Sequence, residues 1–185
     1  MAAAKACFLV IEKNLLFGFS PSDIRWQVVY ENPGPGNKAG GITTLEDKSC
    51  GCVQKGGSAP VVDVLEYAEP VTKKGLNLLS GPGNDLVSAT DLTAAGAHII
   101  LFTTGRGTPF GAPAPTVKIS TNTALFEKKR GWIDFNAGTV ADGETLDEAG
   151  DRLLDYVLRV ASGEKTRAEQ HGAREIAIFK DGVTL

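Results

Sequence analysis

Residues 103–111 read TTGRGTPFG and place an arginine between two glycines where an apolar run ends. Glycine lets a ligand approach the backbone closely, and the N–H groups exposed in such a turn attract anions. The guanidinium of Arg106 is a planar fork of donors that matches a carboxylate or a phosphate. The stretch therefore indicates an anion site, although a plain turn with a solvated arginine has the same pattern.

The two common nucleotide-phosphate motifs are excluded for this stretch. Its glycine spacing does not match GxGxxG, and Pro109 and Pro113 prevent a helix from following directly. The chain contains no GxxxxGK[ST] phosphate loop. We therefore expect no nucleotide cofactor.

Two later apolar stretches also end in polar side chains. KISTN supplies Lys118 and Asn122, and DFNAG supplies Asp134 and Asn136. If the strands before them are neighbours in a parallel sheet, these loops converge with Arg106 on one rim. Such a rim is typical of a binding site for a polar acid, and its oxygen ligands could also bind a hard metal ion. The simpler interpretations are that Lys118 faces solvent and that Asp134 is a cap or turn carboxylate.

A third polar group lies in TTLEDKSCGCVQKGG, which we interpret as a loop that carries Glu46 and Lys55. Carboxylates bind metals, and a lysine whose pKa is lowered can abstract a proton. The C-x-C pair has no second cysteine pair to complete a four-cysteine site. His98, at the start of an apolar strand, is expected to be packed, and His171 to be solvated.

Strands and helices alternate from Pro60 to the end, which implies parallel strands joined by right-handed crossovers. We predict an α/β fold: a Rossmann-like layer with a mostly parallel sheet flanked by helices, after a Gly-rich irregular N-terminal segment. The segment spans residues 1–59, of which 1–30 stay unassigned, and the α/β domain spans 60–185. The predicted strands are VVDVLEYAE, AHIILFTT (buried on both faces), PTVKIS (alternating), WIDFN and REIAIFK. The predicted helices are DLVSATDLTAA, TALFEKKR and TLDEAGDRLLDYVLRVASG, and VTKKGLNLLSGPGN is predicted to be a loop.

Composition narrows the class of protein. The formal net charge of −3 and the lack of a dense Lys/Arg run argue against nucleic-acid or anionic-membrane partners. Apolar runs fall far short of the roughly 20 residues that a membrane span needs. Three cysteines do not make a disulfide framework, and charged residues interrupt the N-terminal apolar run, so we expect no signal peptide and a cytoplasmic protein.

Several spaced motifs occur in one order: PGNKAGG, GLNLLSGPGND, LFTTGRGTPFG, PTVKIS, IDFNAG and EIAIFKDGVTL. Together they resemble the C-terminal half of the altronate/galactarate dehydratase family, from roughly Asn32 to Leu185. The resemblance implies a cytoplasmic hydro-lyase of hexuronate and aldarate catabolism. Members remove water from an aldonic or aldaric acid to give a 2-keto-3-deoxy acid and depend on a divalent metal, usually Fe²⁺, with Mn²⁺ as the other choice here. They are longer, with an N-terminal β-rich domain and a middle region that this chain lacks.

Dehydration begins with loss of the proton α to a carboxylate, and the resulting enediolate needs cationic or metal stabilisation. With the resemblance, this chemistry assigns Arg106 to hold a substrate carboxylate and Lys118 or Lys55 to act as base or enediolate stabiliser. The other candidates, all polar or glycine residues, are Thr104, Gly105, Gly107, Asn122 and Asn136 for substrate binding and Asp134, Glu46 and Asp85 for the metal.

The expected partners are a small sugar acid, the missing N-terminal part of the enzyme and further copies of the chain in a homo-oligomer. An alternative is a truncated, non-catalytic domain that binds a sugar acid or docks to a partner carrying the missing half. A nucleotide-binding module is disfavoured by the glycine spacing and by the lack of a suitably placed acidic residue.

Overall fold

The computed structural model describes residues 33–81 and 84–178, together with the backbone of residues 7–12. The chain divides into two compact units, one of residues 1–96 with 177–185 and the other of residues 97–176. The predicted domain boundary between residues 59 and 60 stays a prediction. Apart from β1, the stretch of residues 1–30 for which we predicted no signal peptide lies outside the described residues.

In the first unit, the Gly-rich segment forms two helices, α1 (Pro35–Ala39) and α2 (Leu45–Lys55). The prediction of irregular structure and a polar loop is therefore wrong for these two stretches. The Thr44 hydroxyl accepts the Asp47 N–H and caps α2, and the charges suit the helix dipole, with acids in the first turn and Lys55 in the last. These end signals outweigh the glycine inside the helix.

The sheet of the first unit is parallel, with strand order β1 (Cys7–Glu12), β3 (Leu76–Gly81), β2 (Val61–Leu65). The stretch GLNLLSG was predicted to be a loop, but it forms the central strand, with Leu79 fully buried. Helix α3 (Asp85–Ala94) follows, and the predicted start is confirmed because the Asn84 side chain accepts the N–H groups of Leu86 and Val87.

A buried carboxylate holds an unusual turn after β2. Ala68 has φ +60°, in the left-handed region that side chains other than glycine seldom adopt. Its N–H donates to Asp91 Oδ1 at 2.6 Å. Asp91 is 0% exposed, and its Oδ2 has no hydrogen-bond partner among the described residues. Burial raises the pKa of Asp91 to about 6, against the opposing effect of the Ala68 hydrogen bond.

This raised pKa predicts a pH-dependent stability. The folded chain binds the Asp91 proton more tightly than the unfolded chain, so the contribution of Asp91 to the free energy of unfolding is largest below pH 4 and is lost as pH rises through about 6. We expect Asp91 to contribute a loss of about 1–2 kcal/mol between pH 4 and 7.5. Urea titrations of the wild type and of Asp91→Asn at several pH values measure it. The variant should lose that part of the slope, and identical slopes would contradict the assignment.

The second unit has a parallel sheet of order β4 (Ile100–Thr104), β5 (Thr116–Ser120), β6 (Phe135–Asn136). Its helices are α4 (Thr123–Lys128), α5 (Leu146–Ala161) and α6 (Arg167–Gln170), with a 3₁₀ turn at Gly138–Val140. The predicted α/β class, with parallel sheets flanked by helices, is confirmed, although the strands divide between two sheets. The Rossmann-like description stays a prediction.

Helix α5 follows the sequence pattern closely. Its predicted capping box is present, with the Thr145 hydroxyl accepting the Glu148 N–H and the Glu148 carboxylate accepting the Thr145 N–H. The helix packs Leu153, Tyr156 and Val160 against a core on the sheet that includes Val117, Ile119 and Phe135. Burial of this apolar face stabilises the layer, because apolar area removed from water contributes about 25 cal/mol per Å².

Other local expectations for the second unit need correction. Leu101 in β4 is half-exposed, so the strand is not buried on both faces, whereas β5 does not alternate and is buried throughout. WIDFN forms a strand only at Phe135–Asn136, and His98 is exposed rather than packed. Residues 174–178 of the predicted last strand form none, and its end lies outside the described residues. Within the described ranges, the structure contains no helix that is long and apolar enough to cross a membrane.

Candidate active site

The ends of β4, β5 and β6 meet at one edge of the sheet of the second unit. The Thr121 N–H donates to the Thr104 carbonyl oxygen at 3.1 Å, and the Asn122 amide donates to the Gly105 carbonyl oxygen at 3.4 Å. The Ser120 hydroxyl donates to Asn136 Oδ1 at 3.2 Å. The predicted convergence of the three loops is therefore confirmed. We call this edge, residues 104–108, 120–122 and 136–138, the strand-end rim.

The glycine–arginine turn is closed by its own threonine. Thr104 is buried, and its Oγ1 accepts the Gly107 N–H at 2.7 Å and the Arg106 N–H at 3.3 Å. These two amides are therefore already paired within the turn and offer little to a ligand. The Arg106 side chain is exposed, so the anion-binding capacity of the turn rests on its guanidinium.

Lys118 is fully buried, which overturns the interpretation that it faces solvent. Its Nζ lies 4.3 Å from the ring centroid of Phe110, and the rings of Phe102 and Trp132 lie 5.2 and 5.3 Å from it. The ammonium donates to the Thr108 carbonyl oxygen, which also accepts the Trp132 indole N–H at 3.2 Å. Lys118 thus anchors the loop that carries Arg106, and its role as the base stays a prediction.

Substitutions at Lys118 separate its volume from its charge. Lys118→Ala should lower the free energy of unfolding by about 3 kcal/mol, because it leaves a cavity between three aromatic rings. Lys118→Met nearly conserves volume and should cost less than about 1.5 kcal/mol. Urea denaturation of both variants measures the difference. Equal losses would show that the ammonium, rather than the side-chain volume, determines stability here.

Lys129 is a member of the site that sequence reasoning missed. It follows α4, is half-buried, and its Nζ donates to the carbonyl oxygens of Arg106 at 2.9 Å and Gly107 at 3.0 Å. In the sequence it is the second of three consecutive basic residues at the end of a short helix. What distinguishes Lys129 from its neighbours is its contact with the loop after β4, and this contact is seen only in the folded structure.

Asp134 was predicted to bind a metal, and its carboxylate is occupied by protein donors. Oδ2 accepts the Lys118 N–H at 2.8 Å, while Oδ1 accepts the Arg167 N–H at 2.8 Å and the Tyr156 hydroxyl at 2.9 Å. Burial raises the pKa of Asp134, although these hydrogen bonds act in the opposite direction. The arrangement matches the simpler interpretation of a turn or cap carboxylate, since Arg167 is the first residue of α6.

The two asparagines of the rim organise its loops. Asn122 Oδ1 accepts the Leu125 N–H at 2.8 Å and caps α4. Asn136 Oδ1 accepts the Gly138 N–H at 2.9 Å, and its amide donates to the Thr123 hydroxyl at 3.2 Å. Both side chains therefore hold backbone in place, and their contact with a polyol stays a prediction.

The remaining predicted residues lie in the first unit. Glu46 and Lys55 are exposed at opposite ends of α2, and Asp85 is the first residue of α3. Among the side chains that the structure describes, no three His, Cys, Asp or Glu are grouped so as to hold a metal ion. The described residues, including the occupied Asp134, do not fit the expected metal centre.

A surface groove beside the rim is lined by Asp134, Asn136, Tyr156 and two arginines. Both arginines are paired, Arg152 with Glu144 at 2.7 Å and Arg159 with Glu164 at 2.8 Å. The hydrogen bonds from Arg152 lower the pKa of Glu144. Since its cations are compensated, this groove is a weaker anion site than the turn of Arg106.

Comparison with known proteins decides the family. The family model described as "D-galactarate/Altronate dehydratase, C-terminal" matches residues 23–184. The chain belongs to this family. Its relatives include the altronate dehydratases of Bacillus subtilis (strain 168), 59% identical over 160 residues, and of Escherichia coli (strain K12), 56% identical over 159 residues. Each alignment covers 86% of this chain and 32% of the relative.

A third relative is the galactarate dehydratase (L-threo-forming) of Escherichia coli (strain K12), 41% identical over 152 residues, which cover 80% of the chain and 29% of the relative. The dehydratase-family chain thus spans about a third of the length of the curated relatives it matches. The resemblance seen in the sequence motifs is confirmed, and it applies to the C-terminal part of those enzymes.

Proposed function

We propose that the chain is the C-terminal domain of a sugar-acid hydro-lyase. It contributes to the dehydration of an aldonic or aldaric acid of the altronate or galactarate type to a 2-keto-3-deoxy acid. The observation that carries this proposal is the strand-end rim in a chain of this family, where an exposed arginine leaves a turn whose amides and carbonyls are held by protein groups.

In this proposal, Arg106 binds the carboxylate next to the carbon that loses its proton. The negative charge that develops on that carboxylate as the enediolate forms strengthens its attraction to the guanidinium. Lys118, Thr104 and Lys129 fix the turn so that the fork is oriented before the substrate arrives. The base is then expected from Lys118, from Lys55 or from the part of the relatives that this chain does not span.

The metal and the partners stay part of the proposal for the complete enzyme. A divalent ion, Fe²⁺ or Mn²⁺, would supply Lewis-acid stabilisation of the enediolate, but the described residues offer no ligand set for it. We also propose a cytoplasmic enzyme that is a homo-oligomer, has no nucleic-acid, membrane or nucleotide partner and docks the remaining part of the dehydratase onto this chain.

The direct test is turnover. The purified chain, with Fe²⁺ or Mn²⁺, is incubated with altronate and galactarate, and 2-keto-3-deoxy acid is assayed. A chimera in which residues 23–184 replace the matching segment of the Bacillus subtilis altronate dehydratase is assayed in parallel. Product from the chimera is expected. A folded chimera without product, from a parent that is active, would contradict the proposed function.

A second candidate is a non-catalytic domain that binds a sugar acid or docks to a partner carrying the missing half. The exposed guanidinium of Arg106, on a turn held by protein groups, is sufficient to bind an acid and does not by itself imply turnover. Sugar-acid binding by the chain, together with a folded chimera that gives no product, would support this candidate over the first.

A further inference from the structure

The ammonium of Lys129 is built into the turn that carries Arg106. Two of its N–H groups are directed at the carbonyl oxygens of Arg106 and Gly107, at 2.9 and 3.0 Å. A lysine ammonium has three donors, so one remains for a ligand. The side chain is half-buried, which leaves this donor a route to solvent.

Gly107 leaves room for the Lys129 side chain beside the turn. Gly107 has φ +78°, in the left-handed region that favours glycine. A Cβ at this position would lie 2.9 Å from Lys129 Cδ, 3.2 Å from Lys129 Nζ and 3.2 Å from Leu125 Cδ1. Glycine therefore serves both the turn and the close approach of the lysine stem.

The charge around this turn is positive and uncompensated by carboxylates. Within the part of the chain that the structure describes, no Asp or Glu oxygen lies within 4.0 Å of the charged nitrogens of Arg106 or Lys129. By contrast, the neighbouring Arg130 is paired with Glu127. Two cations that branch from or contact the same turn attract an anion more strongly than either alone.

We propose that Lys129 is a second substrate-binding cation, which grips the same sugar-acid carboxylate as Arg106. Arg106 supplies the planar fork and Lys129 a point charge at the base of the turn. This inference rests on the proposed function for the identity of the acid. What it adds is the chemistry of the site: two cations bind a carboxylate, and an uncharged polyol without a carboxylate does not bind.

The test uses the full 185-residue chain and galactarate as the probe. Isothermal titration calorimetry compares the wild type with Lys129→Met and with Lys128→Met, a matched control at the adjacent exposed lysine. Galactitol, which keeps the secondary hydroxyl groups of galactarate and has hydroxymethyl groups in place of its carboxylates, controls for polyol binding. We expect Lys129→Met to weaken galactarate at least tenfold, Lys128→Met to stay within twofold, Lys129→Arg to recover most of the affinity, and galactitol not to bind.

Equal loss at Lys128 and Lys129, equal binding of galactitol, or no binding of galactarate by the wild type would overturn the proposal. If Lys129→Met does not fold, NMR of the wild type replaces it. Galactarate should shift the Lys129 Nζ and Arg106 Nε resonances, and unshifted resonances at saturation would overturn the proposal. Carboxylate binding together with an inactive chimera would contradict the proposed function alone. An active chimera unaffected by Lys129→Met would contradict this inference alone.

Discussion

Replacing Arg106 with alanine is expected to lower kcat/KM of the chimera by about 10²–10³-fold, because a bidentate, charge-assisted contact to the substrate carboxylate is lost. Arg106→Lys keeps the charge but not the fork, and an intermediate loss of about tenfold is expected. The assay is formation of 2-keto-3-deoxy acid at several substrate concentrations. The effect should appear in kcat as well as in KM, since the contact strengthens as charge develops on the carboxylate.

The matched control is Arg130→Ala, which removes another exposed arginine near the end of α4. Arg130 is paired with Glu127, and such surface pairs contribute little. Its kcat/KM should stay within about twofold of the wild type. A near-normal kcat/KM for Arg106→Ala, in a chimera that turns over its substrate, would contradict the carboxylate role of Arg106.

Gly138→Ala should be the most destabilising single-methyl change in the strand-end rim. A Cβ on Gly138 would lie 2.2 Å from Thr123 N and 2.5 and 2.6 Å from the carbonyl carbon and Cα of Asn122. These are backbone atoms at the junction of β5 and α4, so they cannot rotate away. We expect a loss of about 3 kcal/mol or more in the free energy of unfolding. We also expect loss of turnover in the chimera, because the loops after β5 and β6 would have to move apart to accommodate the methyl group.

Gly150→Ala is the control for the same chemical change. Gly150 lies inside α5, and apart from its neighbours and the nearby backbone of the helix itself, no described heavy atom comes within 4 Å of a Cβ built there. Alanine favours a helix over glycine, so this variant should gain up to about 1 kcal/mol. Urea denaturation of both variants measures the pair. A Gly138→Ala variant as stable as the wild type would show that the loops after β5 and β6 do not pack as described.

The helices and the parallel strand pairing of the second unit could be predicted from the sequence because their signals are local. Asn122, the Thr145–Glu148 capping box and the apolar spacing along α5 each specify a helix end or face within a few residues. The strand-to-helix alternation then implied parallel neighbours, and this was enough to bring the loops after β4, β5 and β6 to one edge.

The first unit shows where local signals mislead. GLNLLSG looked like a loop because of its flanking glycines, yet it is the central strand, since pairing with β1 and β2 on both sides outweighs local propensity. Helix α2 is similar: its glycine and polar residues are typical of a loop, but the Thr44 cap and the charges at its two ends favour a helix.

The sequence predicts where the candidate site lies, but it does not predict which contacts the side chains of the site make. Whether Lys118 points to solvent or into a cluster of aromatic rings depends on Phe102, Phe110 and Trp132, which lie up to 16 positions away in the sequence. Asp134 likewise finds its donors at Tyr156 and Arg167, and Lys129 contacts carbonyls more than 20 residues before it. Such long-range partners leave no pattern in the sequence.

A crystal structure of the chain with galactarate tests most directly whether the strand-end rim holds a sugar-acid carboxylate. We predict one carboxylate of the ligand within about 3 Å of both the Arg106 guanidinium and Lys129 Nζ. The Gly107 N–H should still be bonded to Thr104 Oγ1. Galactarate bound elsewhere on the chain, with the Arg106 side chain in solvent, would contradict the role assigned to the rim.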